Sequence, residues 1–438
     1  MYTSHIGKKF LEYYNSRNKT SLTARDYFET VFFPLFYDNE RYLQSVANTP
    51  LFQLIAQKNT SDPAARQKKK EEIISKISAY VSDDNYQPEM SFAVGYASAD
   101  LEGTTSGQVT SINLPLNEED MFASWIGAGL GIGVHGGLNL LIDNDIIFSA
   151  IEEGWPVYRK YVNENPDIDN KIETWNSIWL THRFSRNWNA DSQVSFFNPL
   201  TLSKSGTVIM ERPSWVQILF SLAGQMPQTT LNVYVYSFGQ MNKTIGFVQF
   251  RLPQVTRLSD LYSVLFEKQT GLSNKKLAEL YQTEYGLSTA CEKFSLIGLR
   301  SLEPRDIKKF MPSRNEKSFP SLKSDESSLI NYSIYITWII AMLNNKELLE
   351  LAEKSAQAFS DFVSRDRQAK KLRTNVIEKV LSARSRKDFI EGINVILDED
   401  KSLQEVCCDL VDQVMLNVAT DNIPLFVTLL RFKYLSRN

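Results

Sequence analysis

The sequence contains few of the residues from which catalytic and metal sites are usually built. Its 438 residues include three histidines (His5, His135 and His182) and three cysteines, two of them the adjacent pair Cys407 and Cys408. An odd number of cysteines, two of them adjacent in the sequence, does not suit the paired disulfides of a secreted protein. We therefore expect a reducing, cytoplasmic environment. With no two-residue-spaced cysteine pair, we expect neither a metal nor a cofactor.

A long apolar run is also lacking, and so is an excess of charge of one sign. The formal net charge is −3, which by itself identifies no partner. The most apolar stretch, residues 329–343, is shorter than the ~20 residues needed to cross a bilayer, so it predicts a buried helix and no membrane partner. Residues 1–5 lead into polar sequence without the apolar centre of a signal peptide. The hydrophobic fraction of 43% is sufficient for packed cores.

Common enzyme motifs are missing as well. Residues 131–136 match G-x-G-x-x-G, but that fingerprint requires a strand before it and a helix after it. Here a helical pattern precedes the glycines and a strand pattern follows them. We therefore predict a glycine-rich turn packed closely against a neighbouring element, and a protein that is not an enzyme. A nucleotide-binding enzyme that uses the turn at residues 127–137 is one alternative, and a scaffold that binds only proteins is another.

The patterns along the chain predict an α+β fold. Strand-like alternation begins at 91–97 and recurs at 193–197. It is clearest at 231–236, and a second strand from Ile245 completes a predicted β-hairpin. Residues 304–328 contain three prolines and resemble a linker, and the pattern beyond them is helical. We predict a mixed α/β body with antiparallel hairpins at 1–325 and an all-α helical bundle at 326–438.

The strongest local charge lies in the predicted bundle. Residues 361–387 hold nine Lys/Arg against three acidic residues, whereas residues 388–412 hold eight acidic residues against one lysine. A helix that buries an apolar stripe (Ala369, Leu372, Val376 and Val380) would leave its cations facing solvent, where they suit the phosphates of DNA. Pairing with the acidic segment beside it is the alternative. The predicted strand-binding residues are Arg365, Arg367, Lys370, Lys371, Arg373, Arg384, Arg386 and Lys387.

Two further segments are candidates for contact with duplex DNA. The loop of the predicted hairpin carries Gln240, Asn242 and Lys243, and such side chains bond to base edges and phosphates. The triplet Lys68, Lys69 and Lys70 suits the DNA backbone. An ordinary polar loop and a solvated helix face are the alternatives for these two segments.

Several dispersed stretches together resemble the large subunit of type I CRISPR surveillance complexes (Cascade), most closely subtype I-B. They are Thr23–Phe28, Val31–Phe36, Arg41–Leu43, Gly133–Gly137, Glu173–Asn176 and Tyr236–Gln240. Some members of that family carry a zinc-binding cysteine pair that this chain lacks, so the resemblance implies no metal here.

The resemblance implies a non-catalytic, PAM-recognising subunit of an RNA-guided DNA-targeting ribonucleoprotein with a role in antiviral defence. Its expected partners are the guide CRISPR RNA, target double-stranded DNA, the Cascade backbone, 5′-handle-cap and small subunits, and a recruited nuclease-helicase or transposition proteins. It would stabilise the unwound DNA of the R-loop. The helical part resembles the family's small subunit, which suggests an internal start at Met311. The PAM sequence and the choice between DNA cleavage and guided transposition stay open.

Overall fold

A computed structural model of the chain describes residues 1–43, 62–82, 93–96, 117–165, 168, 171–203, 205–237, 243–267, 274–313 and 326–437. The chain forms two compact units. The first unit comprises Met1–Leu252 with Leu287–Leu296, and the second comprises Pro253–Gly286 with Ile297–Asn438. Residues 326–437 belong to the second unit, which also includes segments before residue 325.

The fold is α+β, with helices in both units and a main sheet whose strands lie between residues 132 and 297. The helices are α1 (Tyr2–Asn18), α2 (Ala24–Tyr27), α3 (Phe33–Phe36), α4 (Pro63–Val81), α5 (Glu118–Gly129), α6 (Asp145–Glu164), α7 (Ile172–Arg183), α8 (Trp215–Gln225), α9 (Leu252–Tyr262), α10 (Asn274–Leu280), α11 (Leu287–Lys293), α12 (Glu326–Leu343), α13 (Glu347–Ser364), α14 (Lys370–Leu381), α15 (Arg386–Glu399), α16 (Gln404–Asn417) and α17 (Ile423–Leu435). The strands are β1 (Ile132–Val134), β2 (Leu138–Ile142), β3 (Thr201–Leu202), β4 (Val208–Ile209), β5 (Thr230–Ser237), β6 (Lys243–Arg251) and β7 (Leu296–Ile297).

The N-terminal helices form as their local sequence predicts. Thr23 and Asp26 make a capping box at the start of α2, with each side chain accepting a hydrogen bond from the other residue's backbone N–H. A π-helical turn at Phe28–Phe32 then precedes α3. Pro34 lies next to this turn and has no N–H to donate, which explains why the regular helix is interrupted here.

The main sheet has the strand order β1-β2-β5-β6-β7. β1, β2, β5 and β6 pair antiparallel, and β5 and β6 form the predicted hairpin. Leu231, Val233 and Val235 face the core because alternate side chains of a strand point to the same side. Neither Gln193–Phe197 nor Ala93–Tyr96 is a strand as predicted, since both segments form turns.

The second unit has a helical core that begins earlier than the predicted linker. α12 is the buried apolar helix expected at 329–343, with Ile336, Ile339 and Ile340 fully enclosed. Residues 304–313 are packed and not a free linker, because Ile307 is buried and the ring of Phe310 lies against Phe432. Residues 314–325 lie outside the described residues.

Of the helices in the described part of the chain, none is both long enough and apolar enough to cross a membrane.

Candidate nucleic-acid interface

Helix α14 buries a shorter apolar stripe than the sequence predicts. Val376, Ile377, Val380 and Leu381 are buried, and α14 packs against α13, α15 and α17. Leu372, by contrast, is 55% exposed. Only the later turns of α14 are therefore held by the bundle. Its first turn is exposed, and the expected contribution of Leu372 to the core is wrong.

Three cations gather at this exposed end of α14. Arg367, Lys370 and Lys371 are exposed, and within the described residues they form no hydrogen bond or ion pair through their side chains. The first turn of α14 contains no acidic residue, whereas α13 and α15 each have one or more there. The N-terminus of a helix carries a partial positive charge, so cations there are repelled by the helix dipole and by one another. A bound anion would offset both repulsions.

One carboxylate lies beside these cations. The Oδ1 atom of Asp366 accepts hydrogen bonds from the backbone N–H groups of Gln368 (2.8 Å) and Ala369 (3.3 Å). Ala369 is the N-cap residue and its own side chain makes no capping bond. Asp366 thus satisfies the backbone just before α14, and the N–H groups of the first turn have no side-chain cap.

The other predicted strand-binding cations have partners inside the unit. Arg365 Nη1 donates to Asp400 Oδ2 (3.2 Å) and Ser402 Oγ (3.0 Å), which is the pairing with the acidic segment that the charge pattern left open. Hydrogen bonds that Asp400 accepts from the backbone N–H and the hydroxyl of Ser402, followed by the positive charge of Arg365, hold the pKa of Asp400 below its usual value. Lys387 lies 3.7 Å from Glu391 yet is mostly exposed. Arg384 is half-buried beside Asp388.

Arg373 and Arg386 hold the fold together and do not face solvent freely. Arg373 Nη1 donates to the Phe362 carbonyl (2.9 Å), and its guanidinium lies 4.7 Å from the centre of the Phe362 ring. Arg386 Nη2 donates to the Val418 carbonyl (2.7 Å). Each Nε atom is buried with no hydrogen-bond partner, so these two guanidiniums are poorly placed to meet a phosphate.

The lysine triplet Lys68–Lys70 lies on α4 in the first unit. Two of its side chains interact within the fold and one is exposed. Lys70 Nζ donates to the Glu29 carbonyl (3.1 Å), lies 3.6 Å from Glu29 Oε2, and has 13% of its side chain exposed. Lys69 is half-buried and also interacts within the fold. Lys68 is exposed. The triplet is therefore not a continuous basic surface.

The tip of the β5–β6 hairpin contains the predicted base-reading residues. Gln240 and Asn242 lie outside the described residues, so their role stays a prediction. Lys243 is the first residue of β6, and its backbone pairs with that of Ser237 on β5.

The outward face of the same hairpin is a feature that we did not predict. Phe247 on β6 is 64% exposed, and its ring centre lies 5.2 Å from that of Tyr234 on β5. Tyr2 of α1 approaches both rings, at 4.8 Å from Phe247 and 5.0 Å from Tyr234. Regular alternation placed Tyr234 and Phe247 away from the core, which was the signal available in the sequence.

The glycine-rich run forms a hairpin between β1 and β2, with α5 before it. Gly136 and Gly137 occupy the turn with φ of 96° and 81°, a region that favours glycine. The helix–glycine–strand order predicted from the sequence is confirmed, and it is the reverse of the dinucleotide fingerprint. His182 is likewise structural, as its Nε2 lies 2.8 Å from the Gln193 carbonyl oxygen among aromatic rings.

Gly133, Glu173 and Tyr236 come from three of the stretches that carry the family resemblance, and they lie close together. A Cβ atom on Gly133 would lie 3.0 Å from the Glu173 carbonyl oxygen, and Glu173 is near enough to Tyr236 to affect its pKa. Asn176 of α7 donates from Nδ2 to the carbonyls of Gly129 and Gly131 (both 2.8 Å) and accepts from Trp155 Nε1 (3.1 Å). A Cβ atom on Gly131 would lie 2.7 Å from the hydroxyl oxygen of Tyr236. Burial, together with the nearby Glu173, holds the pKa of Tyr236 well above its usual value. This cluster is a packed core feature.

Within the described residues, no group of three His, Cys, Asp or Glu side chains is arranged to hold a metal ion. No family model, curated protein or solved structure matches this chain.

Proposed function

We propose that this chain is a nucleic-acid-binding subunit of a type I CRISPR surveillance complex and that the first turn of α14 binds DNA phosphates. One observation carries the proposal: Arg367, Lys370 and Lys371 are exposed together at an uncapped helix N-terminus, without partners among the described residues. The backbone N–H groups of that turn supply further donors for a phosphate oxygen.

Polyanions fit this end of α14 better than a single acidic side chain does. Three adjacent cations on separate flexible stems match a chain of regularly spaced phosphates, and each contact releases counterions. Asp366, the carboxylate next to Arg367 in the sequence, accepts hydrogen bonds from two backbone N–H groups through its Oδ1. Strand contact by Arg365, Arg373 and Arg386 is a weaker part of the proposal, because their guanidiniums already have partners.

The family resemblance supplies the biological setting of the proposal. In that setting the subunit is non-catalytic, recognises the PAM on duplex DNA, contacts the guide RNA and helps hold the target strands apart. Phosphate contact by α14 corresponds to the last of these roles. Purifying the tagged chain from its host tests the setting, because it should bring down partner subunits and RNAs of one common length.

A charge-neutral variant of the α14 end tests the interface itself. Changing Arg367, Lys370 and Lys371 to Gln together should weaken binding to duplex DNA of any sequence. Three phosphate contacts account for a log–log salt slope of about −2.7, or about 40-fold in affinity between about 50 and 200 mM salt. Fluorescence anisotropy with labelled duplex DNA across that salt range measures both quantities.

A matched control removes three positive charges elsewhere in the same unit. Lys276 and Lys309 pair with Glu279 and Asp306, and Lys346 is exposed before α13. Changing these three to Gln alters net charge equally and should leave the salt slope unchanged. If both variants lose the same affinity for duplex DNA, the effect is one of net charge and not of the α14 end. If the unaltered chain does not bind duplex DNA, a scaffold that binds only proteins is favoured.

A further inference from the structure

The outward face of the β5–β6 hairpin presents three residue pairs in line. Tyr234 lies opposite Phe247, Asn232 opposite Gln249, and Thr230 opposite Arg251. The alternating residues between them face the core, so all three pairs share the solvent side. The distance from the first pair to the third is about 14 Å along the strands.

The first pair offers flat aromatic surface that the fold does not cover. Phe247 is the most exposed large apolar residue of the described hairpin, and Tyr2 supports the ring edge-on from α1. The position of Tyr2 is itself constrained, because its ring stacks on His5 at 5.4 Å. The ring of Phe247 is therefore supported from the side by Tyr2 and Tyr234, and much of it is open to solvent.

The other two pairs offer hydrogen-bonding groups and a positive charge. Asn232, Gln249 and Arg251 are exposed, and none makes a described side-chain hydrogen bond or ion pair. Asp143 lies near the other end of this face, where its Oδ2 is 3.2 Å from His5 Nε2. Burial and Asp143 raise the pKa of Tyr2 to about 12, so Tyr2 stays neutral at physiological pH. Arg251 thus lies at one end of the row and the aromatic rings at the other.

We propose that this face binds single-stranded nucleic acid. A base stacks on Phe247 and Tyr234, the amides of Asn232 and Gln249 bond to base edges or sugar hydroxyls, and Arg251 meets a phosphate. Unpaired bases stack on aromatic side chains of sheets in this manner, and guanidinium groups bind the backbone between them. The inference rests on the proposed function, but it uses residues of the first unit only.

A protein partner fits this face less well. Protein-binding patches are broad and apolar, whereas here one exposed aromatic residue is followed by two amides and an arginine. These groups match the ring faces, base edges and phosphates of a short single strand.

Removing the aromatic ring while keeping an apolar side chain tests the proposal. Phe247→Leu in the full chain should weaken binding of labelled eight-nucleotide single-stranded RNA or DNA by about 5- to 150-fold, from the ~1–3 kcal/mol that stacking contributes per base. An oligonucleotide containing 2-aminopurine should lose fluorescence on binding the unaltered chain and much less on binding Phe247→Leu. Arg251→Gln should also weaken binding and flatten the salt slope by about 0.7.

Phe196→Leu is the matched control, because Phe196 is an 87% exposed phenylalanine in the same unit. It should bind as the unaltered chain does. Tighter binding of RNA than of DNA identifies RNA as the ligand through its 2′-hydroxyl, and the reverse identifies DNA. Thermal melting of each variant shows whether the fold is retained, and Arg251→Gln supplies a second test should Phe247→Leu unfold.

Three results would overturn the inference. The first is that Phe247→Leu binds single strands as tightly as the unaltered chain, and the second is that Phe196→Leu loses as much affinity as Phe247→Leu. The third is that the unaltered chain binds no single strand, which would favour a protein partner for this face. The α14 variant separates the two proposals, because it should lose duplex binding and still quench 2-aminopurine. Loss of quenching only in Phe247→Leu, with duplex binding intact, would support the sheet-face site by itself.

Discussion

Arginines in this chain act in two ways that their charge alone does not distinguish. Arg159 is buried and donates to the carbonyls of Leu35, Phe36 and Arg41, and burial lowers its pKa to about 10. Arg431 is 1% exposed and donates to the carbonyls of Leu381 and Phe310. A guanidinium has five N–H donors, so it can satisfy several helix-end and loop carbonyls at once. Arg367 is exposed and makes no such bond within the described residues.

Asn176 is a buried polar residue whose side chain joins three segments of the first unit by hydrogen bonds. Asn176→Ala should destabilise the protein by about 3 kcal/mol or more, because it leaves two buried carbonyls and the Trp155 indole N–H without partners. Thermal or urea unfolding measures the loss. Asn187→Ala serves as the control, since Asn187 is exposed. Similar unfolding midpoints for both variants would contradict this role.

Residue roles were predictable where the local pattern determines them. Thr23 and Asp26 have the three-residue spacing that is typical of a capping box, and the structure contains one. The separate roles of Lys68 and Lys70 were not predictable, because they depend on Glu29 and Phe33, which α4 meets only in the folded unit. Likewise, nothing in the sequence around Arg373 indicates that its guanidinium stacks on Phe362.

At the scale of elements, α1 and α5 approach so closely that only glycine fits at the contact. A Cβ atom on Gly127 would lie 2.0 Å from the Thr3 carbonyl oxygen, and one on Gly7 would lie 1.9 Å from that of Ala123. Gly127→Ala should therefore force the helices apart and cost about 3 kcal/mol or more. Chemical denaturation followed by circular dichroism measures this cost.

Gly224 in α8 provides the matched control for that substitution. A Cβ atom there would meet nothing within 4 Å. Gly224→Ala should stabilise the protein by up to about 1 kcal/mol, because alanine has the better helix propensity and the less flexible unfolded state. Substitutions of the same kind in two helices are thus expected to act in opposite directions. Stability unchanged by Gly127→Ala would show that α1 and α5 can separate freely.

Elements were predictable where a period or a turn signal is strong. The hairpin at 231–250 and the apolar helix at 329–343 are in place. The extent of the α14 stripe was not, because the same period continues through Leu372 although neighbouring helices cover only the later turns. Strand-like alternation at 193–197 failed for a related reason: the segment forms turns and pairs with no neighbouring strand.

At the scale of the whole molecule, the helical part of the second unit depends on residues that precede it. Trp338 Nε1 donates to the Leu299 carbonyl (2.8 Å), and the Tyr335 hydroxyl donates to that of Arg305 (3.0 Å). The Arg257 guanidinium also bonds to the Ala341 carbonyl. A boundary at residue 325 follows the composition of the chain, whereas these hydrogen bonds join residues on both sides of it.

A separate product that starts at Met311 should consequently be less stable than the complete second unit. Such a fragment lacks Phe310, whose ring lies 5.6 Å from Tyr335 and 5.2 Å from Phe432 and whose carbonyl accepts from Arg431. It also exposes Trp338 and leaves its indole N–H unpaired. Residues 311–438 should melt at a lower temperature and bind more of a hydrophobic dye than residues 253–438.

Equal melting temperatures and equal dye binding for the two fragments would show that the helices after residue 325 fold without the preceding segments. If residues 311–438 are instead less stable, an internally started product needs a partner that covers Phe432 and Trp338. Added full-length chain or assembled complex should then raise the melting temperature of the short fragment and leave that of residues 253–438 unchanged, because the longer fragment already covers both side chains itself.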